Sequence, residues 1–133
     1  MYRKVRYLAL LLFLICGSAT AHQWTPSHVE LRPSYVSGIH TATMKFYNSR
    51  DDVEYYQVQV FDGRFNPIKF AIQGGSNSDV IHARHRQYKT VDVYVPSYEA
   101  VRVVYICTRS MILKKFETAS LVSSRICSKV VNE

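Results

Sequence analysis

Along most of this chain, apolar and polar side chains alternate at every second residue, and that period belongs to β-strands. Ala42, Met44 and Phe46 alternate with Thr41, Thr43 and Lys45. Residues 54–62 repeat the pattern most clearly, with Tyr56, Val58 and Val60 on one side and Tyr55, Gln57 and Gln59 on the other. Val91, Val93 and Val95 alternate with Asp92 and Tyr94. A further strand is expected over residues 101–108, with Val101, Val103, Tyr105 and Cys107 on one face, and a last one over residues 121–131. Shorter strands are expected at residues 28–31, stopped by Pro33, and at residues 68–72. Polar turns separate them: residues 48–52, Asp62-Gly63, Asn66-Pro67, the Gly74-Gly75 loop and Pro96-Ser97. Residues 110–117 fit either one helical turn or a loop. No segment carries a helical stripe. About seven short strands and no helix predict an all-β fold, a single Ig-like antiparallel β-sandwich.

The amino terminus follows a different pattern. Residues 2–6 are positively charged, residues 7–16 are unbroken apolar, and Ala19 and Ala21 supply a small-x-small cleavage signal. That order predicts a secretory signal peptide over residues 1–21 and a single mature domain over residues 22–133. The apolar run is about half the roughly 20 residues a spanning helix needs, so a membrane anchor is the weaker reading. Ile15 before Cys16 disfavours lipidation. The expected location is the periplasm or the extracellular space, with no membrane span after cleavage.

Export gives the cysteines a meaning. Cys16 leaves with the signal, and Cys107 and Cys127 remain, a pair expected to form one disulfide. Two sulfurs without a C-x-x-C pairing make a poor zinc site. Removing Arg3, Lys4 and Arg6 from the 17 basic residues leaves 14 against 10 acidic ones. This mild excess argues against a nucleic-acid partner and fits solubility or acidic protein partners.

The chain lacks a phosphate-binding glycine loop, a G-x-S-x-G elbow and an H-E-x-x-H pair. His82 and His85, beside Arg84 and Arg86, could be a solvated surface, a basic contact patch or, if the chain turned helically there, two metal ligands. His22, the expected new amino terminus, could chelate copper through amine and ring. Asp51 and Asp52 sit in an expected turn, where such residues serve the backbone. The 10 tyrosines fit β-propensity and core packing, or an aromatic binding face. The residues suggest no enzyme, no cofactor and no metal.

The order of short motifs resembles the amino-terminal domain of PapD-like periplasmic pilus chaperones. The resemblance runs through Val29-Glu30-Leu31-Arg32-Pro33, Phe46-Tyr47-Asn48, Asp51-Asp52 and Val58-Gln59-Val60-Phe61. Tyr88 to Pro96 and Val101-Arg102-Val103-Val104-Tyr105 continue it, so most of residues 28–130 are covered. The motifs are short and degenerate, and the family has a second Ig-like domain. The resemblance implies a sandwich that lends an edge strand to an incomplete exported partner, a β-augmentation. It makes Arg32 the first of two basic residues that hold a partner's terminal carboxylate, with Lys129 or Arg125 the second. It makes Val122, Ile126 and Val130 the apolar row of the donated strand, with Ser124 and Ser128 diluting that row. The bridge between the last two strands is not a general feature of the family.

Two functions are therefore expected in order. The first is a chaperone-like protein that binds another exported protein, such as a pilus or envelope subunit, by strand pairing. The second is a structural or adhesive Ig-like component of a surface appendage or secretion apparatus. An uncovered edge strand would also allow a homodimer.

Overall fold

The computed structural model describes residues 22–76, 78–111 and 123–131. The expected signal peptide and Val122 lie outside the described residues. Three short pieces come first: β1 (Gln23–Thr25), β2 (His28–Val29) and β3 (Arg32–Pro33). The long strands β4 (Ile39–Tyr47) and β5 (Tyr55–Phe61) follow. After them come β6 (Ala71–Gln73), β7 (Val80–His82) and β8 (Tyr88–Pro96). One helical turn, α1 (Ser97–Ala100), precedes β9 (Tyr105–Ser110) and β10 (Arg125–Val130).

These strands form the expected all-β, Ig-like sandwich. One sheet has the order β1-β4-β8-β6, with β3 also on the outer edge of β4; the other has the order β2-β10-β9-β5-β7. Its inward rows meet as an apolar core. Met44, Phe46, Tyr56, Val58, Val60, Ile81, Val91, Val93, Val95 and Ile106 are all fully or almost fully buried. Burying each such side chain contributes about 1.5–3 kcal/mol, which is why strict alternation fixes the register of the long strands.

Where alternation is short or broken, the sequence misleads. Ten strands form among the described residues rather than about seven: β1 and β7 are additional, and the single strand expected near residue 30 gives way to β2 and β3. Residues 28–31 do not make one strand. β2 joins the second sheet and β3 the first, and two apolar residues are too few to decide between sheets. The β2–β10 pairing is parallel, against the expected antiparallel rule. The expected strand start at Val101 is replaced by α1 and a turn. The Arg102 N–H donates to the Glu99 carbonyl at 2.9 Å, Arg102 also pairs with the Glu99 carboxylate at 2.7 Å, and Val101 is 78% exposed. Val101 lies on the turn and Val103 drops into the core before β9 begins, whereas Tyr105 and the buried Cys107 pair across the sheet with Lys129 and Cys127, so the four do not share a face.

Candidate functional site

β10 carries most of the residues that the chaperone resemblance singles out. Its register on β9 pairs Arg125 with Arg109, Cys127 with Cys107 and Lys129 with Tyr105. The Ser110 N–H donates to the Ser124 carbonyl and the Val130 N–H to the Val104 carbonyl. Antiparallel hydrogen bonds alternate, so even-numbered residues of β10 bond to β9 and odd-numbered ones turn their backbone groups the other way. On that side the Lys129 N–H meets the Ser27 carbonyl at 2.8 Å and the Val131 N–H meets the Val29 carbonyl at 2.9 Å. The β2 pairing reaches only Lys129 and Val130. Among the described residues no strand pairs with this edge of β10 over Arg125, Ile126 and Cys127.

A disulfide fixes this strand. Cys107 and Cys127 are bridged, with Cα atoms 4.0 Å apart and a sequence separation of 20. They occupy a non-hydrogen-bonded pair, the closer of the two antiparallel spacings. The sequence-based pairing is therefore correct, and its effect is to hold β10 against β9 beside the open edge.

The apolar row behaves differently from what the resemblance implies. Val130 is 7% exposed and belongs to the core, and Ile126 packs against that core. Both point into this chain's own sandwich. Neither side chain can fill a groove in a partner while the sandwich is closed. In the free chain both side chains pack inward, and the partner-binding role expected for them stays a proposal.

The serines in the same row have a physical reason. Ser128 is buried and its hydroxyl donates to the Pro26 carbonyl. Ser124 lies by a buried polar cluster at the opposite end of β10. There the His22 ring, 1% exposed, bonds through Nε2 to Thr108 Oγ1 at 2.9 Å and through Nδ1 to Ser124 Oγ at 3.2 Å. It also packs against Tyr56 and Phe46, with ring centroids 4.7 and 5.5 Å away. Burial, helped by the nearby Arg50 charge and opposed by the Thr108 hydrogen bond, lowers the His22 pKa to about 4. With both ring nitrogens engaged by hydroxyls, His22 is a packed core residue rather than an open metal ligand.

Arg50 joins the cluster. It grips Asp52 through two bonds of 2.8 Å and donates to Ser110 Oγ and Ser124 Oγ at 3.4 Å. The bond to Asp52 raises its pKa further, so it stays charged. Asn48 closes the arrangement. Its Nδ2 donates to the carbonyls of Val53 and Ala83 at 2.8 Å, while its Oδ1 accepts from Tyr56 Oη and the Arg50 N–H. Asp52 thus does more than shape a turn. Sequence reading missed this cluster because its members lie far apart in the chain and look like ordinary turn and strand residues.

The basic residues do not converge. Arg32 sits in β3, on the other sheet, with its side chain 75% exposed and bound to Glu30 at 3.1 Å. No hydrogen bond or ion pair among the described residues joins it to Lys129 or Arg125. Lys129 and Arg125 share the outer face of β10, and the Arg125 guanidinium lies 5.4 Å over the Phe61 ring. His82 faces Glu54 at 3.1 Å and stacks on Tyr55, which gives it a structural place at the β5–β7 edge.

No family model matches the chain, and no curated protein matches it. Among solved structures, a chain from the complex of Salmonella enterica SafA pilin with the SafB chaperone superposes with a TM-score of 0.60 at 13% identity. The match covers 86% of this chain and 55% of that one, so this chain spans about half the length of the chain it matches. At that identity the likeness is one of fold. Among the described residues no helix is long and apolar enough to cross a membrane.

Proposed function

We propose that this chain is a periplasmic or secreted binding protein, without catalysis, that engages another exported protein by strand pairing at β10. The observation that carries the reading is the edge over Arg125, Ile126 and Cys127, with which no strand pairs among the described residues, stapled to β9 by the Cys107–Cys127 disulfide. An edge of unpaired amides and carbonyls is a template for another strand. The shared fold with a chain of a pilin–chaperone complex supports a chaperone-like form of that activity. The backbone would supply most of the contact, since Ile126 and Val130 are committed to the core.

A proline at residue 125 tests this. Arg125 points its N–H away from β9, so Arg125→Pro removes an outward donor without removing a β9–β10 bond. Arg125→Ala removes the charge and keeps the donor. Exported partners captured from the source cells by the wild type and by Arg125→Ala, but lost from a folded Arg125→Pro, support edge pairing. Equal capture by all three rejects it.

A second reading, a structural component of an envelope assembly, is favoured by one observation. Tyr35 and Val36 of the β3–β4 turn and Tyr98 and Val101 around α1 are all exposed. The Ser97 N–H bonds to the Gly38 carbonyl at 2.8 Å, which places these residues at the same end of the sandwich. Apolar groups gathered at one end suit a lasting contact. Co-purification with a large stable assembly, rather than with a single partner, would select this reading.

A further inference from the structure

The outer face of the β5–β9–β10 sheet carries a charge arrangement that folding alone does not explain. Arg109 and Arg125 stand directly opposite each other in a non-hydrogen-bonded pair, where like charges destabilise a sheet. Lys129 projects from the same face, four residues along β10. All three are exposed, and none forms an ion pair among the described residues. The outward positions of these three strands include no carboxylate, and the Asp79 carboxylate that reaches this face from outside them accepts from the Gln57 side-chain amide at 3.1 Å. Asp62, at the end of β5, is turned toward Arg102 at 3.7 Å.

Aromatic rings lie beside the cations. Phe65 stacks on Tyr105 with centroids 4.7 Å apart and planes 7° from parallel, and Phe61 lies 5.5 Å from Phe65. Phe65 is 50% exposed and sits at φ 60°, a left-handed conformation that is costly for a bulky residue. The turn holds it there through Asp62 Oδ1, which accepts from the Arg64 and Asn66 N–H groups at 2.9 Å. The strained, half-exposed Phe65 ring thus shares this face with the cations, through Tyr105 opposite Lys129 and Phe61 under Arg125.

We infer that this face binds an acidic, extended polypeptide segment. Arg125 and Lys129 are separated by about 13 Å along the strand. An extended peptide repeats its same-side residues every two positions, so carboxylates four residues apart match that spacing. The Phe65–Tyr105 stack receives an apolar or aromatic side chain of the same segment. This face is distinct from the backbone edge of β10, and Arg109 lies on β9, away from that edge.

The test uses a fluorescent peptide of four Glu-Thr repeats and the mature protein at low salt. The peptide binds the wild type, and Arg109→Glu with Lys129→Glu weakens it at least tenfold with the fold intact by circular dichroism. Lys45→Glu with Lys89→Glu, on the other sheet, changes it less than twofold. Absence of binding overturns the inference. So does equal weakening by both charge reversals, and so does tight binding to phosphatidylglycerol vesicles without peptide binding. Because the Arg125→Pro test reads partner strand pairing and this one reads peptide charge, either can fail without the other.

Discussion

Cys107 and Cys127 face each other across β9 and β10 with their Cα atoms 4.0 Å apart, and Cys127 lies on the stretch of the β10 edge that no other strand pairs among the described residues. The bridge ties the strand that offers the edge to the middle of its sheet. Replacing both cysteines with alanine should lower stability by about 3 kcal/mol, the chain-entropy value for a loop of this size. Urea denaturation of oxidised wild type and the double variant checks this through the midpoint.

His22 gives the fold a pH dependence. Its pKa falls from 6.5 in the unfolded chain to about 4 in the folded one, mainly through burial. Between those values the unfolded chain takes up a proton that the folded one excludes. The contribution is complete above pH 6.5 and lost as pH falls to about 4, on the order of 3 kcal/mol. Stability measured from pH 7 to 4 should fall more steeply in wild type than in His22→Asn.

Asn48 satisfies four groups at once: the carbonyls of Val53 and Ala83, the Tyr56 hydroxyl and the Arg50 amide. Asn48→Ala leaves several of them buried and unpaired. A loss of at least about 3 kcal/mol is expected, since each orphaned group costs about 1–3 kcal/mol. Thermal unfolding followed by circular dichroism reads it.

Val130 separates core from contact. A row donated to a partner would tolerate a polar residue in the free protein. Here Val130→Asp buries a carboxylate against the core and should cost about 3 kcal/mol or more. A melting temperature unchanged by Val130→Asp would return that residue to the contact surface.

The long strands were legible because seven or nine residues of strict alternation leave one register that buries the apolar row, as in β4, β5 and β8. The disulfide was legible from the cysteine count once export was expected. The short pieces were not, because two or three residues carry too little pattern to choose a sheet. Val101 misled because its apolar side chain sits on a turn set by Pro96, Glu99 and Arg102. At the candidate site the strand was legible, but which core its apolar row fills was not. Ile126 and Val130 alternate as a donor row would, and alternation alone does not say whose core they fill. His22, Asn48 and Arg50 meet only in three dimensions.

Hydrogen exchange at the Arg125 and Cys127 amides, with and without the captured partner, tests the central claim most directly. Strand pairing at β10 predicts that both amides exchange rapidly in the free protein and at least tenfold more slowly in the complex. A stable complex in which both exchange as fast as in the free protein would contradict it.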